Sequence, residues 1–89
     1  MKIYVNVLKS LKDNKFYIGQ TNNVEDRFQR HQKGYVKSTK NRRPLVLLFY
    51  ETFHNRADAM KHETYLKSGA GHNYIKGKLA DATRKTGSG

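Results

Sequence analysis

The sequence predicts an α+β domain: a small three-stranded antiparallel sheet flanked by helices, in the order β-β-α-β-α-α. Three observations predict it. Apolar residues alternate with period two at the N-terminus, helix start and stop signals follow only after two such segments, and one nearly continuous apolar run returns mid-chain. Eighty-nine residues make one small domain, and a hydrophobic share of 36% allows only a modest core.

The elements follow in order. Ile3, Val5 and Val7 alternate with Tyr4, Asn6 and Leu8, a strand pattern. Asp13-Asn14-Lys15 is a turn signal and Phe16-Tyr17-Ile18-Gly19 the returning strand, so residues 3–19 read as a β-hairpin. Asn22-Asn23 offers an N-cap, with Glu25 and Asp26 in the first turn where the helix dipole favours acids. Val24, Phe28 and His31 then share one helical face, and Gly34 stops the helix. Residues 35–44 form a basic loop. Leu45 to Tyr50 reads as the central, buried strand. Asn55 caps a second helix that runs to about Lys67 and ends at Ser68-Gly69, and a short third helix is expected from about Asn73 to Ala80. The domain therefore spans residues 1–80, with a flexible polar tail over 81–89.

Composition narrows the function. Eighteen Lys and Arg face seven Asp and Glu, a formal charge of +11. A small domain this basic suits a polyanion, nucleic acid first. The absence of cysteine excludes disulfides and Cys-type zinc sites and fits a reducing compartment. No apolar run reaches the roughly 20 residues of a membrane span, and no secretory leader is apparent at Met1-Lys2-Ile3. The chain reads as a complete cytoplasmic protein.

Three constellations can carry chemistry. Arg27 and His31 lie at i, i+4 on one helix face, a planar phosphate-matching fork beside a group that titrates near neutrality. On spacing alone the pair is equally a solvated basic face. Glu63 shares a helical stripe with Ala59 and Leu66, where a buried carboxylate needs a cation: a metal, an Arg or a Lys. Tyr35, Lys37, Ser38, Thr39, Lys40, Arg42 and Arg43 form a loop able to contact a phosphate backbone, or an ordinary charged loop.

Taken together, Tyr17-Ile18-Gly19, the helix Val24 to His31, the stretch Lys37 to Pro44 and the run Glu63 to Gly69 resemble the GIY-YIG nuclease superfamily, most closely its short single-domain bacterial members. The likeness covers about residues 2–79. It implies a three-stranded antiparallel sheet flanked by helices and a metal-dependent endonuclease acting on DNA. It implies that Glu63 holds one divalent metal, Mg²⁺ or Mn²⁺, that Arg27 stabilises the pentavalent phosphate, and that Tyr17 helps orient and deprotonate water. His31 matches a position holding His or Tyr in relatives, and Asn73 one that contacts substrate in some. Lys37, Lys40, Arg42 and Arg43 would contact DNA.

One motif departs. Counting back from Tyr17, the slot of the first motif's tyrosine falls on Asn6, which binds water but is no base. Tyr4 lies two residues earlier on the same strand face, about 6.8 Å away. His31 is the better-suited base by its ordinary pKa. Two functions stand: an endonuclease in DNA repair, recombination or processing, and a nucleic-acid-binding module of nuclease descent with weak or no catalysis. An RNA or ribosome contact is a third, weaker reading. Branched and single-stranded DNA both suit such a bare domain, alone, as a dimer or with a partner protein.

Overall fold

The computed structural model describes residues 2–88, and the side chains of residues 2–80. β1 (Ile3–Ser10) and β2 (Phe16–Thr21) form the hairpin, α1 (Val24–Gln32) follows, then β3 (Leu45–Phe53), α2 (Arg56–Leu66) and α3 (Gly69–Ser88). Both strand pairs are antiparallel and the sheet order is β2-β1-β3. No helix among the described residues is long and apolar enough to cross a membrane.

β1, not β3, is therefore the central strand, which corrects the expectation drawn from the apolar run. The reason is local. The register between β1 and β3 slips between Val7 and Leu8, so that Val7 faces Phe49 while Leu8 faces Leu47. Leu48 is the extra residue of a bulge, and a bulge breaks strict alternation. Leu48, Phe49 and Phe53 all pack on the main core, whereas Leu47 meets Val24 and Phe28 of α1 around a groove on the opposite face. The run is apolar because each face of this edge strand has a helix to meet. β1 is buried on both faces: Ile3, Val5 and Val7 join Ala59, Leu66 and Ile75 in the core, and Asn6 and Leu8 are buried beneath the α1 side.

The helix ends follow the sequence. Asn23 and Asn55 each accept a hydrogen bond from the backbone N–H three residues on, at 3.0 and 2.8 Å. α1 closes with paired bonds, Tyr35 N–H to Arg30 and Gly34 N–H to His31, and Gly34 sits at φ +81°, where a side chain would be strained. α3 begins at Gly69 rather than near Asn73. Ser68 caps it, its hydroxyl accepting from the Gly71 N–H at 3.1 Å. The Gly69-Ala70-Gly71 stretch reads as a loop by composition, but Gly71 is where α3 meets the end of α2. A Cβ there would lie 2.0 Å from the Tyr65 carbonyl oxygen and 2.4 Å from the Leu66 Cα. The polar tail expected over residues 81–89 lies outside the residues whose side chains are described.

Glu51 of β3 ties the sheet to both α2 and α3. Its carboxylate accepts from Tyr74 of α3 at 2.7 Å and lies 2.6 Å from His62 Nε2 of α2. His62 is thus a mostly buried partner of a carboxylate. This pairing fixes the rotation of α2 and leaves the next residue, Glu63, aimed toward β2.

Candidate active site

Asn6 of β1, Tyr17 and Gly19 of β2, Arg27 and His31 of α1 and Lys67 at the end of α2 line a cleft of about 380 Å³. Strand register brings the first three together. Asn6 pairs with Gly19 and Leu8 with Tyr17, so Asn6, Tyr17 and Gly19 share the sheet face beneath α1. The amide oxygen of Asn6 is the nearest atom to where a Gly19 side chain would begin, at 4.0 Å.

Two atoms in this cleft break the usual rule that buried polar groups are paired. Asn6 Oδ1 and Arg27 Nε are buried without a hydrogen-bond partner among the described residues. One is an acceptor, the other belongs to a cationic donor group, and both residues line the cleft.

His31 is 6% exposed, with Nδ1 2.7 Å from Thr39 Oγ1. Burial, and then the charge of Arg27, lowers its pKa to about 4. It is a neutral imidazole at pH 7. When Thr39 donates onward to the Val36 carbonyl at 3.4 Å, His31 Nδ1–H donates to Thr39 and Nε2 keeps its lone pair. Folding thus holds His31 below its unfolded pKa. The unfolded state binds the extra proton, so stability is full above about pH 6.5 and declines as pH falls toward 4. Urea unfolding at pH 7 and pH 5 is expected to show this loss, at up to about 1.4 kcal/mol per pH unit for one proton. His31→Gln should flatten the slope, and an unchanged slope would refute the assignment.

Tyr17 is not set up as a base. Its hydroxyl donates to Asp13 Oδ2 at 2.9 Å, and Arg42 Nε lies 3.4 Å from the same oxygen. Burial first, then the Asp13 carboxylate, pushes the phenol above its ordinary value. Asp13 itself is held low, chiefly by the Lys15 N–H.

Glu63 stands one step behind the cleft wall. Gln20 Nε2 donates to its Oε1 at 3.0 Å and Lys67 Nζ to its Oε2 at 2.8 Å. Burial alone would raise its pKa, but those two bonds and the charges of Lys67 and Arg27 outweigh it and keep the carboxyl ionised. An ionised, mostly buried carboxylate fits a hard divalent cation. Among the described residues no trio of His, Cys, Asp or Glu gathers around it. One carboxylate can hold Mg²⁺ when water and substrate phosphate complete the shell.

Other expected residues lie apart. Tyr4 packs edge-on against Tyr50, centroids 5.6 Å apart, in the second groove beside Phe28, and is not brought to Arg27. Lys37 is exposed, and Lys40 shares a third, open groove with Lys12 and Arg43. Arg42 is engaged with Asp13 as above. Arg43 donates to the Lys40 and Gln32 carbonyls at 2.9 and 3.4 Å, clipping the loop to the end of α1. Asn73 is exposed on α3 and does not line the cleft, whereas its neighbour His72 does, ring edge against Phe16 at 5.6 Å.

Sequence reasoning missed Gln20, Lys67, Asp13 and His72 as members of the site, and placed Thr39 only in the phosphate-contacting loop, not beside His31. Lys67 had a signal, since it lies four residues after Glu63 on a helix. The others meet their partners across separate elements, which spacing does not encode.

The chain is similar to known proteins over most of its length. The UPF0213 protein SH2523 of Staphylococcus haemolyticus is 44% identical over 68 residues, which take in 75% of this chain and 82% of that protein. The UPF0213 protein CPE1444 of Clostridium perfringens is 42% identical over 65 residues, 72% of this chain and 69% of that one. The solution NMR structure of the UPF0213 protein BH0048 from Bacillus halodurans shares the fold at a TM-score of 0.53 and 30% identity, covering 86% of this chain and 84% of that chain. The family model described as the GIY-YIG catalytic domain matches residues 2–76. That span contains every strand, α1, α2 and the whole cleft, and the chain belongs to the GIY-YIG family, whose catalytic domain implies nuclease chemistry on a nucleic acid.

Proposed function

We propose that this chain is a divalent-metal-dependent endonuclease that hydrolyses DNA phosphodiester bonds. The observation that carries the proposal is Arg27: a half-buried side chain that lines the cleft, with an Nε buried and unpartnered among the described residues, and close enough to the Glu63 carboxylate to lower its pKa. A phosphate oxygen supplies the acceptor that Arg27 lacks, and the +11 charge draws the polyanion in. Charge that builds on the phosphorus oxygens during in-line attack then meets a fixed cation in a desolvated site. Asn6 Oδ1 accepts from the attacking water and orients it. Tyr17 and His31 shape the cleft from either side, the one holding its proton and the other staying neutral. Glu63 would hold Mg²⁺ or Mn²⁺, which when bound polarises the phosphoryl oxygen and lowers the pKa of its water. We infer a cytoplasmic role in DNA repair, recombination or processing on the family likeness.

A second reading is favoured by a specific observation. Of the three groups nearest the phosphate site, Asn6 is no base, Tyr17 is pushed toward retaining its proton, and His31 is only weakly basic. A nucleic-acid-binding module with reduced catalysis fits that set.

Plasmid nicking in Mg²⁺ and Mn²⁺ separates the two. The endonuclease reading expects nicking that falls by about 10²-fold or more in Glu63→Ala. Replacing Asn6 by Tyr, which has a side-chain-free residue opposite it in Gly19, is expected to raise the rate by about 10-fold or more by restoring a phenol near the water. A silent parent with an active Asn6→Tyr variant would establish the binding module. Nicking indifferent to Glu63→Ala would overturn the metal-dependent reading.

A further inference from the structure

The unexpected member of the site is Lys67. It lines the cleft, and Glu63 is reached through it. Its backbone is fixed, since its N–H caps α2 by donating to the Glu63 carbonyl at 3.2 Å. Its head is open to solvent: the side chain is 55% exposed against 15% for Glu63. The ammonium therefore sits on the carboxylate oxygen that a metal would take, on a flexible stem one turn away. The other oxygen is held by neutral Gln20.

We propose that Lys67 keeps the divalent cation's place on Glu63 and, once displaced by that cation, turns its ammonium to the substrate phosphate beside Arg27. The inference rests on Glu63 being the metal ligand. Charge supports it. Without Lys67, Glu63 would be a mostly buried anion with only the more distant Arg27 to compensate it, a costly state. With Lys67, the carboxylate stays ionised and oriented before any metal arrives. A divalent ion added on top of Lys67 and Arg27 would crowd four positive charges around one carboxylate, so the ammonium must leave as the metal enters. An i, i+4 pair with one half-exposed partner is weak enough to yield. The released ammonium then faces a cleft that receives phosphate, and a lysine binds phosphate well as a point charge.

Calorimetric titration of Mn²⁺ into the full chain, without DNA, tests this. Lys67→Met is expected to bind Mn²⁺ roughly 10-fold or more tighter than the parent, because the competing charge is gone while the stem remains. Lys67→Arg keeps a cation and should bind within about threefold of the parent. Glu63→Gln should bind none. A lysine that merely supports the fold would not raise metal affinity when removed. If Lys67→Met binds no tighter while Glu63→Gln loses binding, the displacement idea falls and Glu63 remains the ligand. If Lys67→Arg tightens as much as Lys67→Met, charge is not what matters and the idea falls as well. If Glu63→Gln binds like the parent, the ligand assignment fails and takes this inference with it.

Discussion

Replacing Arg27 by Met is expected to reduce strand nicking by about 10³-fold while leaving the fold at least as stable as before. The two effects have one cause. On the proposed reading Arg27 meets the substrate phosphate, and its Nε is buried without a partner among the described residues. A buried polar group left unpaired carries a desolvation penalty of about 1–3 kcal/mol. Met keeps most of the apolar stem and removes the stranded donor. It also removes the cation that helps depress the His31 pKa. Against this stands the lost attraction to Glu63, which Lys67 and Gln20 still hold. A net gain of about 1 kcal/mol would raise Tm by about 4–8 °C for a domain of this size. Nicking at the parent rate would show that Arg27 does not meet the phosphate. Loss of the folded state would show that its role is structural.

Gly71→Ala is expected to be the most destabilising single methyl in the chain, lowering stability by about 3 kcal/mol or more. Helix propensity argues the other way, since Ala is favoured over Gly by about 1 kcal/mol within a helix. Sterics decide the sign. The added methyl would come within 2.0 Å of the Tyr65 carbonyl oxygen and 2.4 Å of Leu66 Cα, and both are backbone atoms that cannot swing aside. α3 would have to lift off the end of α2, drawing Ile75 from the core and His72 from the cleft wall. Gly77→Ala is the control. Its methyl meets nothing within 4 Å, so propensity acts alone and stability should rise slightly. Thermal melts of both variants check the contrast, and similar Tm values would refute the packing argument.

Much of the fold was legible in the sequence because local signals and long-range packing agree. Asn23 and Asn55 cap the helices they precede, Gly34 ends α1, and Ile3, Val5 and Val7 turn one face into the core. Sheet order was not legible. The bulge at Leu48 makes an edge strand look like a buried centre, and nothing local in Leu45–Tyr50 announces it. At the site, the groups named by residue type, spacing and the family resemblance are Arg27, His31, Tyr17, Asn6 and Glu63. The structure gathers the first four around one cleft and sets Glu63 behind it, while Tyr4 and Asn73 stand elsewhere. Their protonation was not legible. The ordinary pKa of His31 suggests a base, but burial against Thr39 and the neighbouring Arg27 make it a poor one, and Asp13 ties down the Tyr17 proton from the turn between β1 and β2.

The basic loop between α1 and β3 has a consequence for how a polyanion would be met. Arg42 and Arg43 are already engaged, one on the Asp13 carboxylate and the other on two carbonyls at the end of α1. These bonds stiffen the segment that presents Lys37 and Lys40. A limp basic tail loses rotamer and backbone freedom at the moment it grips a strand, and that lost entropy is subtracted from affinity. Here the ordering takes place during folding, so the loop meets a phosphate chain as a preorganised bracket. Contacts made on it would dissociate more slowly for the same number of charges.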